Sequence, residues 1–133
     1  MSKIRTTCIG AYPKPEFVEL PDWFTVAEGP DTADPTQSWS EAMVAMGENV
    51  EDILTRGVAQ AIADQQSAGI DIPTDGEVPR ENYIHYHCRY LDGIDFAHLT
   101  EKSLRNGAYV ARLPTITKRV SAREPFLVHD WKR

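Results

Sequence analysis

Two short stretches carry residue types that could do chemistry. The first is Cys8-Ile9-Gly10-Ala11-Tyr12-Pro13, where a strand-like run carrying β-branched Thr6, Thr7 and Ile9 stops at Gly10. Gly10 lets a ligand approach the backbone, and the amides that follow can hold a carboxylate. The second is Thr74-Asp75-Gly76-Glu77, where a carboxylate stands just past a glycine turn. Glu77 can accept hydrogen bonds from a ligand ammonium group. In parallel α/β proteins such strand ends collect function. Backbone donors at one strand end and a carboxylate at the next suit an α-amino acid. The competing reading is structural: Asp75 and Glu77 cap a helix that starts near Arg80.

Two further groups invite chemical readings. His85-Tyr86-His87-Cys88 offers imidazole and thiolate, which zinc favours. On a helix, however, only 85 and 88 are near neighbours, so a packed aromatic and imidazole cluster is the alternative. Cys8 is either a nucleophile near a strand end or a buried strand cysteine, and the sequence places no base beside it. No Gly-rich phosphate loop, serine nucleophile elbow or HExxH pattern occurs.

The elements that must position these residues can be read in order. Arg5 to Gly10, with Thr6, Thr7 and Ile9, reads as a short strand. A long irregular stretch follows from Ala11 to about Gln37, because Pro13, Pro15, Pro21, Pro30 and Pro35 forbid a regular helix. Trp23 and Phe24 are expected to anchor it, and residues 11–40 are expected to form a Pro-rich active-site loop. Ser38 to Met46 suits a short helix. Val50, Ile53, Leu54, Val58, Ala61 and Ile62 form one apolar stripe, which predicts a helix over 50–67 with Asn49 as N-cap and Gly69 as C-terminal stop. Ile70 to Asp75 is then a second short strand, and strand–helix–strand implies parallel pairing with a right-handed crossover. Arg80 to Tyr90 is read as helical and Asp92-Gly93 as a turn. Tyr109 to Val120 is read as one or two strands, with Asn106-Gly107 as a hairpin turn. Glu124 to Arg133 resembles the opening of another helix.

The chain has 133 residues and a formal net charge of −6. That length suits a single domain spanning 1–133 but not a closed eight-stranded α/β barrel, which needs roughly 250 residues. Residues 1–101 hold 6 basic and 18 acidic side chains, and residues 102–133 hold 8 basic and 2 acidic ones. The two parts either neutralise each other or leave an anion-binding segment at the C-terminal end. The acidic balance argues against a general nucleic-acid binder. Two widely spaced cysteines give no disulfide framework. With no apolar leader and no membrane-length apolar run, a cytoplasmic protein is expected.

Thr6-Thr7-Cys8-Ile9-Gly10-Ala11-Tyr12-Pro13 resembles the opening strand of the catalytic barrel of cobalamin-independent methionine synthases, which usually reads Thr-Thr, an apolar residue, Ile-Gly-Ser, an aromatic residue and Pro. Gln65-x-x-x-Gly69-Ile70-Asp71-Ile72-x-x-Asp75-Gly76-Glu77-x-x-Arg80-Glu81-Asn82 is similar to the second helix and strand of that family. Leu91-Asp92-Gly93-Ile94-Asp95-Phe96 and Arg112-Leu113-Pro114-Thr115-Ile116 continue the match in order.

The resemblance implies an α/β fold: part of a (β/α)₈ TIM barrel, its first βαβ units plus a β-hairpin extension. It implies methyl transfer to the sulfur of homocysteine. Ile9, Gly10 and Ala11 would lie where the family holds the amino-acid end of that substrate, with Ala11 in place of the usual serine. Glu77 matches the glutamate that holds the substrate amino group. Arg112 is similar in position to an arginine that contacts a methyl-folate donor. The family activates its thiol with zinc held by a His-x-Cys pair, a Glu and a later Cys in the far half of the barrel, with a downstream histidine as acid. None of these is matched here, and His85, His87 and Cys88 fall elsewhere. The expectation is therefore the first third of a barrel, with little turnover alone, that associates with itself or with a complementing C-terminal part. Two other readings stay open: an alkyltransferase for another thiol such as coenzyme M, and a non-catalytic remnant or binding module.

Overall fold

The computed structural model describes residues 4–22 and 35–132. Trp23 and Phe24, expected to anchor the Pro-rich stretch, lie outside them. Helices α1 (Pro35–Met46) and α2 (Val50–Ser67) are joined by a 3₁₀ turn, Gly47–Asn49. They are followed by α3 (Tyr83–Cys88), strands β1 (Leu91–Leu104) and β2 (Tyr109–Ala122), and α4 (Leu127–Lys132). No described helix is long and apolar enough to cross a membrane.

Helix α2 has the expected bounds because its stripe finds a partner. Leu54, Val58 and Ala61 are buried, and together with Val18, Leu20 and Val78 they form the core. Tyr12, Trp39, Met43, Met46, Val50, Ile53 and Ile62 pack around it. Gly69 stops the helix with φ +82. Asn49 does not cap it. The residue is helical (φ −86, ψ −4) and makes no side-chain cap, because the 3₁₀ turn feeds the chain directly into α2. Helix α1 starts at Pro35, three residues earlier than the spacing suggested, so a regular helix occupies the end of the expected 11–40 loop. Proline suits a first helical position, where its missing N–H has no partner to lose.

The two short strands contract to a single parallel bridge, Thr7 to Ile72. The parallel direction is as expected, but one bridge falls short of a βαβ sheet. The regular sheet is instead the antiparallel β1–β2 hairpin. Its turn carries Asn106 at φ +57 and Gly107 at φ +89, the left-handed pair that tight hairpins need. Asp92-Gly93 is not a turn. It lies inside β1 at a register shift, where a Cβ on Gly93 would sit 2.6 Å from the Arg119 carbonyl oxygen. The glycine marks a bulge, which shares the positive φ of a turn. The described architecture is thus an α/β piece: two helices on an N-terminal extended segment, then a hairpin flanked by short helices.

Candidate functional site

The two chemistry-bearing stretches do come together. Ile72 N–H donates to the Thr6 carbonyl (3.0 Å), and Thr7 Oγ1 donates to the Ile72 carbonyl (2.7 Å). Asp71 Oδ2 accepts from the Thr6 amide (3.0 Å) and hydroxyl (3.1 Å). Past these strand ends, Tyr12 N–H donates to the Gly76 carbonyl at 2.9 Å. Gly76 must be glycine: its φ is +64, and a Cβ there would lie 2.8 Å from Tyr12 Cβ. The loops at 9–12 and 75–77 are therefore neighbours along one edge.

Helix α2 holds the second loop through Gln65. Its buried amide donates to the carbonyls of Ala61 and Thr74, both at 2.9 Å, and its Oε1 accepts from Thr74 N–H at 3.0 Å. Beyond Thr74, Asp75 Oδ1 accepts from Glu77 N–H (3.0 Å) and Asp75 Oδ2 accepts from Arg80 Nη2 (3.0 Å). Arg80 Nη1 reaches Glu77 Oε1 at 3.4 Å, and its guanidinium lies 5.8 Å from the Tyr86 ring centre. Asp75 and Glu77 thus fork Arg80 and do not cap a helix. Capping falls to Asn82, whose Oδ1 accepts from the amides of Ile84 (2.8 Å) and His85 (3.2 Å). Glu77 adopts φ +54, a left-handed conformation unusual for a residue with a long side chain.

The first loop adds groups that the motifs did not indicate. Lys14 N–H donates to Oδ2 of the buried Asp22 at 2.7 Å. Burial lowers the Lys14 ammonium pKa below its ordinary value, against the upward pull of the Asp22 and Glu77 carboxylates. Ile9 is 99% exposed and Gly10 is also open, whereas Ala11 is half-buried. The amino-acid site expected at Ile9, Gly10, Ala11 and Glu77 is hence an open edge here, not an enclosed pocket.

Arg112 lies elsewhere. Its Nη1 donates to Gln37 Oε1 at 3.2 Å beside a pocket of about 270 Å³ bordered also by Ser40, Phe96 and Leu99. That pocket shares no lining residue with the Tyr12–Glu77 edge. An apolar cavity of about 460 Å³ is formed by residues 122–128 and is likewise separate.

The His85–Cys88 segment is an aromatic cluster. His85 meets Phe96 edge-on, His87 packs against Tyr86 and Phe126, and Tyr90 stacks on Phe126 with centroids 4.4 Å apart. Nearby, the Arg89 guanidinium lies between Trp39 and Phe96 and pairs with the buried Glu81. Among the described residues, no group of three or more His, Cys, Asp or Glu side chains could hold a metal. These described residues do not fit a zinc centre.

With this geometry in hand, known proteins give it a context. Residues 4–132 match the family model described as the catalytic domain of cobalamin-independent synthase. The methionine synthase of Sulfolobus acidocaldarius is 27% identical over 126 residues, which is 94% of this chain and 32% of that protein. The methionine synthase of Saccharolobus solfataricus is 25% identical over 126 residues, 95% of this chain and 32% of that protein. A B12-independent methionine synthase from Shewanella sp. W3-18-1, solved with selenomethionine, superposes with a TM-score of 0.70 at 27% identity, covering 96% of this chain and 33% of that one. The chain therefore spans about a third of the length of the relatives it matches.

Proposed function

The chain belongs to the cobalamin-independent synthase catalytic-domain family, and from that premise we propose that it is the amino-acid-binding segment of a TIM-barrel methyltransferase acting on the thiol of homocysteine. The observation that carries this reading is the Tyr12–Gly76 hydrogen bond, which joins the Gly10 loop to the Glu77 loop beside a parallel bridge. The amides after Gly10 are donors for the substrate carboxylate, and the Glu77 carboxylate accepts from its ammonium group. The Arg80–Asp75 fork keeps the Glu77 side chain on that edge.

On this reading the sulfur end is handled by the other two thirds of the family's domain. A complementing C-terminal part would close the barrel, cover the open edge, and bring zinc and a methyl-folate donor. Zinc held by that part would supply a thiolate at neutral pH by lowering the thiol pKa. Arg112, on the pocket bordered by Gln37 and Phe96, is a candidate contact for the donor.

Calorimetry with the full chain tests the substrate. Homocysteine is expected to bind, and 2-mercaptoethanesulfonate, which has no amino group, is expected to bind at least about tenfold more weakly. Glu77→Ala should erase that difference. Equal binding of the two thiols by the unaltered chain would favour the alkyltransferase alternative, and no binding of either would favour a non-catalytic remnant. Supplied with zinc, homocysteine and methyl-folate, the chain alone is expected to give no methionine. Sustained turnover would refute the incomplete-barrel part of the reading.

A further inference from the structure

Helix α4 has two faces, and the amino-acid reading uses neither. Its inner side is fastened: Tyr86 Oη donates to Asp130 Oδ1 at 2.8 Å, and Phe126, four residues before Asp130, stacks on Tyr90. That attachment turns the opposite side outward. Leu127, Val128 and Trp131 share one helical face and are 58%, 50% and 86% exposed. Leu127 and Val128 also line the apolar cavity of about 460 Å³ formed by residues 122–128, whereas Trp131 stays outside it. A large apolar side chain in water thus stands about one turn from an apolar hollow that it does not fill.

Charge singles out the occupant. Residues 1–101 carry 18 acidic against 6 basic side chains, and residues 102–121 carry 5 basic and no acidic ones. Each of those regions repels its own copy. Residues 122–132 are balanced, with Arg123 and Lys132 against Glu124 and Asp130. Arg123 pairs with Asp92 and Asp130 is bonded to Tyr86, which leaves Glu124 and Lys132 flanking the apolar face in the chain, one on each side. A two-fold axis across α4 sets the start of one helix against the end of the other, so Lys132 of one copy meets Glu124 of the next.

We propose that α4 is the contact face for a second copy of this chain, related by a two-fold axis, with Trp131 of each copy seated in the cavity at residues 122–128 of the other. Knob and hollow lie on one face, so the contact is self-complementary and closes at two copies. A desolvated tryptophan at the centre of such a face carries most of the binding, and the Lys132–Glu124 pairs at its rim set the register.

Sedimentation equilibrium of the full chain tests this. The unaltered chain should pass from monomer to dimer as its concentration rises through the micromolar range. Trp131→Glu should weaken the dimer at least about tenfold, and Trp131→Phe should keep most of it. Ile116→Glu, exposed on the hairpin and off this face, should leave it unchanged. Lys132→Glu should weaken the dimer, and adding Glu124→Lys should recover it, a rescue that damage to the helix would not give. A measurement without variants is acrylamide quenching of tryptophan fluorescence, which should decrease as the dimer forms. A chain that stays monomeric throughout overturns the proposal. An association that survives Trp131→Glu but dissolves in salt also overturns it, and marks the basic hairpin on the acidic N-terminal part instead. Growth beyond two copies does the same, as does a non-associating chain whose Trp131 binds phosphatidylserine vesicles.

Discussion

The N-terminal part (residues 4–22 with α1, α2 and the 70–80 loop) and the C-terminal hairpin with α4 are held together by different means. The first has almost no regular strand, yet it contains the core cluster of Val18, Leu20, Leu54, Val58, Ala61 and Val78. The second has two 14-residue strands with a long ladder, yet Val110, Ile116, Val120, Leu127 and Trp131 are exposed. Regular hydrogen bonding and burial have separated. Side-chain-to-backbone bonds from Gln65, Asp75 and Asp71 position the candidate site where no ladder runs. Such a site depends on the core beneath it, whereas the hairpin tolerates surface change.

Core truncation is the strongest way to break this contrast. Leu54→Ala should cost about 2–5 kcal/mol, whereas Ile116→Ala should stay within about 0.5 kcal/mol. Urea unfolding of both variants measures the gap, and similar values would mean that the hairpin shares the core's burden. Next comes Gln65→Leu, which leaves the Thr74 amide and carbonyl without partners. It should cost about 1–3 kcal/mol and speed amide exchange at 74–77 while the hairpin amides stay unchanged. Slow exchange at those positions would show the loop to be held by something else.

A third test uses pH. Burial, helped by hydrogen bonding with Tyr90 and Asp130, raises the Tyr86 phenol pKa above its ordinary value. A folded-state pKa raised above the unfolded one gives stability that is present below the unfolded value, about 10, and lost as pH climbs past it. Urea midpoints between pH 9 and 11 should fall more steeply for the unaltered chain than for Tyr86→Phe, and parallel slopes would count against the burial argument. The smallest effect belongs to the hairpin: breaking the half-exposed Arg123–Asp92 pair (2.8 Å) with Asp92→Asn should change stability by less than about 1 kcal/mol.

The comparison also explains what could be read beforehand. Helix α2 was legible because six apolar residues repeat at helical spacing and the partner they need exists. Asn106-Gly107 was legible because the left-handed pair is a local requirement. Asp92-Gly93 misled for the same reason, since positive φ serves bulges as well as turns. The joining of the 9–12 and 75–77 loops followed from strand order, but the length of pairing did not, because a strand needs neighbours that residues 4–22 and 35–132 do not supply. Lys14, Asp22 and the Arg80 fork were not singled out as site groups, since pairing and burial arise when distant segments fold together. Gln65 did leave a trace: it falls on the stripe of Leu54, Val58 and Ala61, and a polar amide on an apolar face must find buried partners.

The left-handed backbone at Glu77 has a consequence for inheritance. A long acidic side chain at that torsion costs about 1–3 kcal/mol relative to a relaxed residue, and glycine would occupy it without strain. Glu77→Gly should therefore make the fold more tolerant of heat while removing the carboxylate. A lineage with no use for that acid would gain robustness by drifting to glycine, so a glutamate kept in spite of the strain is what the proposed ammonium contact requires.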